Sequence, residues 1–388
     1  MSEIFRIKNL TLHFVTFEGT VKALEDVNLT MFRGETLGLV GETGCGKTVT
    51  SRSLMRLMAP NARVLKGEVV FDGRNVLQLS EEELESIRGK EISMVFQEPM
   101  RALNPTMTFG DQIAEVVMLH FQKEMYHKAM EVVTEKLKRS GNSAKSLLLT
   151  VHKRLLSLEA DNKYPDLLQL SSRVPFLKSY RDHLRQIVKE RIVDMLKQVQ
   201  IPNPQGVVDQ YPHELSGGMR QRAMIAMALA CSPKLVIADE PTTALDVTVQ
   251  ARILKLMQEL KDRFSTSILL VTHNLGVVSE ICDRVAVMYA GTVVELADVV
   301  TIFRRPLHPY TRGLIEAIHN PGDVRGDLRE IKGTVPSLLN PPKGCRFSPR
   351  CDSSKPACKQ EMPKTIEVDK GHFVACYLAG GVIAGNNS

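Results

Sequence analysis

Three groups of residues in this 388-residue chain have the types and spacing to do chemistry. The first is Gly41-Glu42-Thr43-Gly44-Cys45-Gly46-Lys47-Thr48. Its glycines let backbone N–H groups turn inward around phosphates. Lys47 has the reach to touch the outer phosphates, and the Thr48 hydroxyl suits Mg²⁺. The second is Asp239-Glu240. Adjacent carboxylates beside such a loop divide the labour: Asp239 holds Mg²⁺ with Thr48, and Glu240 orients and polarises an attacking water. The third is Cys345, Cys351, Cys358 and Cys376, clustered near the end while Cys45, Cys231 and Cys282 are scattered. A reducing compartment disfavours disulfides, so the cluster points to metal. Its members have 5, 6 and 17 residues between them. A zinc site usually contains a pair about two to four residues apart, and none exists here. Cys45 needs only to be small, although a helix N-terminus would lower its pKa and expose it to oxidation.

These residues need elements to position them. Thr36–Val40 is an apolar run that predicts a buried strand, and Val49–Met58 carries Leu54, Leu57 and Met58 at helical spacing. Strand, glycine-rich loop and helix is the context a phosphate-binding loop requires. Ahead of it, Phe5–Leu10, Val21–Leu24 and Val27–Thr30 read as short strands punctuated by Gly19 and Gly34, a small antiparallel layer. Phe14 in that layer could stack on an adenine ring or sit in the core. Residues 67–73 predict a strand ending in an Asp-Gly turn, and Ser80 followed by three glutamates predicts a helix start. Ile92–Phe96 predicts a strand ending at Gln97, and residues 267–271 one ending at Thr272-His273. From Gly110 to Val199 the pattern is helical, with one apolar stripe from Leu184 to Val199 and another from Phe121 to Val133. Residues 141–143 and 164–166 interrupt it. Ser216-Gly217-Gly218 opens a helix to about Cys231, a second anion-binding terminus. Lys234–Ala238 is a strand delivering the two carboxylates at its carboxyl end, where open α/β sheets place ligands. Alternating strands and helices predict an α/β fold with a parallel sheet.

Composition excludes several classes. Hydrophobic content of 43% and charged content of 24% are those of a globular protein. No apolar run reaches the roughly 18 residues of a membrane span, and the start lacks a secretory leader's pattern. The net charge of +6 is local: residues 121–190 hold 14 Lys and Arg against 8 Asp and Glu. A local basic stretch suits solvated helix faces first, and a protein partner or anionic surface second.

In the order phosphate loop, Gln97, Ser216-Gly217-Gly218, Asp239-Glu240 and His273, residues 4–295 resemble the ABC ATPase superfamily, a P-loop NTPase fold. The resemblance implies that ATP and Mg²⁺ bind at Gly41 to Thr48 with Val49, and that Gln97 joins Thr48 and Asp239 at the metal. It also implies that Phe14 stacks on adenine and that Gln97 and His273 assist Glu240 at the terminal phosphate. Asp246, after Ala244 and Leu245, matches the D-loop. ATP would lie between the phosphate loop of one subunit and Ser216-Gly217-Gly218 of another.

The tail narrows the resemblance. His308-Pro309-Tyr310-Thr311 and Gly333-Thr334-Val335-Pro336 look like the extension of oligopeptide, dipeptide and nickel importer ATPases. Relatives in that branch carry a [4Fe–4S] cluster on a similar cysteine pattern, with zinc the alternative here. The implied domains are an ATPase core at 1–97 and 231–295, a helical subdomain at 98–230 and a cysteine-rich C-terminal extension at 296–388. The subdomain is about 50 residues longer than usual, and the surplus is the basic insert at about 123–185. The expected function is ATP hydrolysis driving import of di- or oligopeptides, with oligosaccharides or nickel as alternatives. The expected partners are a second ATPase subunit, two permeases and an external binding protein, at the cytoplasmic face of the membrane. The rival is a nucleic-acid-processing ABC ATPase, disfavoured by the tail; no nucleic acid partner is expected.

Overall fold

Two antiparallel strands of 14 residues, β1 (Glu3–Thr16) and β2 (Gly19–Phe32), begin the chain. They replace the short pieces expected there, because register shifts interrupt their side-chain alternation without breaking the pairing. The shifts flank Asn9 and Asp26, both at φ +49°. The computed structural model describes residues 2–140, 144–161, 179–243, 245–317 and 331–379. The breaks expected at 141–143 and 164–166 lie outside them, as does Ala244. β4 (Ala62–Phe71) pairs with β1, and β5 (Arg74–Asn75) turns back through Asp72 and Gly73, both with positive φ. The expected antiparallel layer is this four-stranded sheet, ordered β2-β1-β4-β5.

The second sheet has eight strands, ordered β11-β12-β10-β9-β3-β8-β7-β6. β3 (Thr36–Val40), β6 (Ile92–Val95), β7 (Leu235–Asp239), β8 (Ser267–Thr272) and β9 (Arg284–Tyr289) are parallel. β3, β6, β7 and β8 are buried along their whole length, which explains their near-continuous apolar runs. β10 (Thr292–Asp298), β11 (Ile366–Asp369) and β12 (His372–Val374) add an antiparallel flank. The extension boundary expected at Leu296 therefore falls inside β10, and the tail continues the sheet. Both sheets contribute to one core that includes Leu12, Leu24, Leu39, Phe71 and Leu269.

The chain divides into two compact units, residues 1–97 with 232–388, and residues 98–231. The helix after the phosphate loop is Lys47–Ser53, shorter than expected, and turns follow it. Helix Glu81–Ile87 starts on a reciprocal cap: Glu83 N–H donates to Ser80 Oγ, and Ser80 N–H to the Glu83 carboxylate. The second unit holds helices Phe109–Ser140, Ala144–Ala160 and Tyr180–Gln198 around their own core, including Met125's neighbours Tyr126, Ala129 and Val133. The Leu184–Val199 stripe buries Val188, Ile192, Leu196 and Val199. The first helix has a non-helical residue at Phe121, over whose ring Arg191 lies at 4.4 Å.

Candidate functional site

Register places the chemistry. β3, β8, β7 and β6 lie side by side and parallel, so their carboxyl ends share one edge. β3 delivers Gly41, β8 His273, β7 Asp239 and Glu240, and β6 leads to Gln97. Residues as far apart as the 143 positions between Gln97 and Glu240, or the 191 between Thr48 and Asp239, thus meet.

The phosphate loop needs its glycines. Gly41, Gly44 and Gly46 stand at φ +153°, +80° and +101°. A Cβ on Gly41 would meet the Met288 carbonyl oxygen at 2.2 Å, and one on Gly46 would meet Leu24 at 2.9 Å. Lys47 is buried, and its Nζ donates to the carbonyls of Gly41 at 2.7 Å and Glu42 at 3.0 Å. The Thr48 hydroxyl donates to Asp239 Oδ1 at 3.3 Å. Burial pushes the Asp239 carboxyl above its ordinary range, against the pull of Thr48 and Arg52. Thr43 and Gly44 are on the loop's exposed side, and Val49 packs on the core. Cys45 is fully buried, and burial pushes its thiol up. A buried thiol with a raised pKa fits the reading that the position needs only a small residue, rather than the oxidation-prone alternative.

Glu240 is where three other side chains converge. Gln97 Nε2 donates to it at 3.0 Å, Thr243 Oγ1 at 2.9 Å, and His273 Nδ1 lies 3.0 Å away. Burial alone would raise this carboxyl, but the bonds from His273 and Thr243 outweigh it and hold it below the usual range. Glu240 also has φ +48°, in the left-handed region that costs a non-glycine residue about 1 kcal/mol or more. Its N–H donates to the Val271 carbonyl, which fixes that conformation.

Phe14 is half-buried and packs on the first unit's core, between Val21 and Ala62 in the sheet. Asp246 caps helix Val247–Phe264, accepting from Val249 N–H at 2.9 Å. Ser216 caps helix Gly217–Leu229 of the second unit, leaving Gly217 and Gly218 in its first turn.

Sequence reasoning missed three contributors. Thr243 had a legible signal, a hydroxyl three residues past the carboxylates. Tyr310 was noted only as part of a tail motif, yet its hydroxyl accepts the Glu42 N–H at 2.9 Å. Arg350 carried no signal, and it donates to both Glu42 carboxylate oxygens at 3.0 and 3.1 Å.

The four clustered cysteines come together in the structure. Cys345, Cys351, Cys358 and Cys376 do line one small cavity with Phe347 and His308. Among the described residues, however, no three or more His, Cys, Asp or Glu side chains are grouped to hold a metal ion. Shared lining is looser than ligation. Burial, with the neighbouring cysteines adding, pushes Cys345 up to about 11.

Among the described residues, no helix is long and apolar enough to cross a membrane. Residues 24–243 match the family model described as ABC transporter, and residues 294–358 match the oligopeptide/dipeptide transporter C-terminal region. A probable peptide ABC transporter ATP-binding protein of Sinorhizobium fredii is 42% identical over 97% of this chain and 95% of its own. A dipeptide transport ATP-binding protein of Bacillus subtilis is 40% identical over the same shares. An oligopeptide transport ATP-binding protein of Haemophilus influenzae is 41% identical over 98% of each. A solved ATP-binding cassette, dimeric in a post-hydrolysis state with ADP and phosphate, superposes with TM-score 0.54 at 23% identity. It covers 76% of this chain and 98% of its own, which shows the fold. Matches of this identity over nearly the whole length establish that the chain belongs to the ABC transporter ATP-binding proteins of the oligopeptide/dipeptide family.

Proposed function

We propose that the chain is the ATP-hydrolysing subunit that drives an ABC importer for di- and oligopeptides. The observation that carries this is the pairing of two carboxylates at one strand end. Asp239 faces the Thr48 hydroxyl, and Glu240 gathers Gln97, Thr243 and His273. The peptide substrate comes from the relatives, whose names state peptide, dipeptide and oligopeptide transport.

In this reading the loop from Gly41 to Val49 and the Lys47 ammonium cradle the phosphates, and Phe14 meets the adenine. Thr48, Asp239 and Gln97 would hold Mg²⁺, which would supply positive charge against the phosphate oxygens and favour the ionised form of the buried Asp239. Glu240, held ionised by its hydrogen bonds, exchanges one of them for a hydrogen bond from the attacking water, which it orients and polarises. Gln97 and His273 keep Glu240 aimed. A second ATPase subunit completes the site with Ser216, Gly217, Gly218 and Asp246, so hydrolysis reopens a closed dimer.

The dimer works beneath two permeases, peripheral to the cytoplasmic face of the membrane, with an external binding protein delivering the peptide. The helical subdomain at 98–230, with its basic insert, is the permease-facing part. The core at 1–97 and 231–295 hydrolyses ATP, and 296–388 is the extension. A [4Fe–4S] cluster on the four cysteines rests only on their shared cavity and on Cys₄ chemistry. Iron and zinc analysis of the purified protein tests it, and a protein without either metal rejects it.

Glu240→Gln tests the main reading. ATP binding should persist while steady-state hydrolysis disappears. Normal turnover in that variant removes Glu240 from the role, and stable association with DNA rather than membrane permeases removes the importer.

A further inference from the structure

We propose that Arg350 is a positioning residue for nucleotide binding: from the C-terminal segment it holds Glu42 and presets the phosphate loop. The proposal rests on the phosphate-loop reading above. It adds a residue outside every motif that carries that reading.

A glycine-rich loop is costly to order. Gly41, Gly44 and Gly46 adopt left-handed conformations, and an unrestrained loop would spread over many others. Ordering that occurs on binding is subtracted from affinity, whereas ordering built into the free protein is not. Something must therefore hold the loop.

Glu42 is held at three points. Its N–H donates to Tyr310 Oη at 2.9 Å, its carbonyl accepts from Lys47 Nζ at 3.0 Å, and its carboxylate accepts from Arg350 Nη1. Only the second is internal to the loop. The other two come from chain segments 268 and 308 residues away.

Arg350 is a fixed anchor rather than a surface charge. Its side chain is 6% exposed. Nε donates to the Lys332 carbonyl at 2.8 Å, Nη2 to the Ile331 carbonyl at 3.0 Å, and Nη1 also to Tyr289 Oη at 3.3 Å. The guanidinium lies 5.7 Å from the Tyr289 ring centre and 6.0 Å from that of Phe347. The Tyr310 ring is wedged against the same two rings, at 4.6 and 5.4 Å. An exposed Arg–Glu pair loses most of its value to side-chain entropy, but this fork is already immobilised by its other bonds. Its remaining donor can transmit that rigidity to Glu42.

The bland alternative is that Arg350 merely staples the tail to the body. The two roles separate in measurement. Binding of trinitrophenyl-ATP to the full-length protein, steady-state hydrolysis and chemical unfolding would be compared for wild type, Arg350→Met, Arg350→Lys, Tyr310→Phe, Glu42→Gln and the Glu42→Gln/Arg350→Met double variant. Arg350→Met should weaken nucleotide binding about tenfold while kcat at saturating ATP stays within about twofold. Arg350→Lys should recover part of the loss, and Tyr310→Phe should cost about threefold. The double variant should be no weaker than Arg350→Met alone, because both changes remove one interaction.

Wild-type affinity in Arg350→Met, with or without a lower unfolding midpoint, overturns the proposal, as does a double variant whose losses multiply. If Arg350→Met does not fold, Tyr310→Phe, which deletes one oxygen, decides by its own affinity. Wild type that fails to bind the probe brings down the phosphate-loop reading and this proposal together. Wild type that binds, with variants equal to it, brings down this proposal alone.

Discussion

Glu240 and Glu295, both in the first unit, each meet a histidine, and these two pairs are built for opposite ends. Glu240 meets His273 at the strand ends, with the histidine side chain 56% exposed. Glu295 meets His372 at 2.8 Å in the join between β10 and β12, with both side chains at 2% or less. The partners differ as well. The Glu240 carboxylate accepts from three side chains, Gln97, Thr243 and His273. Glu295 accepts in addition from the backbone N–H groups of Leu307 at 2.7 Å and His308 at 3.0 Å. Side chains at a wet rim can release an oxygen to water, whereas buried backbone donors cannot. The same residue pair is thus poised for exchange in one place and fastens the tail to the sheet in the other. Residue type does not assign the role; access to water and the kind of donor do.

The largest effect that would break this contrast is on turnover. Glu240→Gln should lower hydrolysis at least about 1000-fold, near 4 kcal/mol of transition-state stabilisation, without lowering the unfolding free energy. A phosphate-release assay beside urea unfolding reads both. Glu295→Ala should do the reverse. It strands two buried N–H groups and His372, which costs about 3 kcal/mol of stability in urea unfolding. A variant as stable as wild type would erase the distinction.

Acid sharpens the same contrast. His308 is fully buried beside Glu295, accepts the Tyr310 N–H at its Nδ1, and burial pulls its pKa down to about 4 from an ordinary 6.5. A depressed pKa means the folded protein binds the proton less well than the unfolded chain. The contribution is fully present above about pH 6.5 and is lost as pH falls toward 4, by up to about 3 kcal/mol. Glu295 is pushed up by burial but held down by His372, Thr311 and the two backbone donors, so its contribution goes at still lower pH. Unfolding free energy measured from pH 7 to 4 should decline, and His308→Gln should flatten the decline above pH 4.5. The smallest effect is at the rim: Thr243→Val removes one of several bonds to Glu240 and should slow hydrolysis about threefold. No change would mean that Gln97 and His273 suffice to aim the carboxylate.

Legibility followed range along the chain. β3, β7 and β8 were readable because strands buried on both faces are continuous apolar runs, and Ser80 because a cap acts over three residues. The chemistry at the strand ends was readable for the same reason: each group follows its own strand directly. β1 and β2 were read as fragments because bulges interrupt the period of two. β11 and β12, of four and three residues, are too short to show a period and exist as strands through pairing, β12 against β10 and β11 against β12. The clustering of Cys345, Cys351, Cys358 and Cys376 was legible as well, since it brings them to one cavity, but sequence proximity does not set the sulfur geometry that ligation needs.

By itself the sequence determined the strand–loop–helix that forms the phosphate cradle, the carboxylates that follow β7 and the apolar faces that build both units. Each is written in residues a few positions apart, where backbone periodicity and capping act. Only the tertiary structure decided which carboxylate is caged. It set Glu240 in a left-handed backbone between Gln97 and His273, joined Glu295 to His372 across 77 residues, and brought Arg350 to Glu42 across 308. Those pairings depend on which strands become neighbours, and strand order is fixed by burial of the whole core rather than by any local spacing.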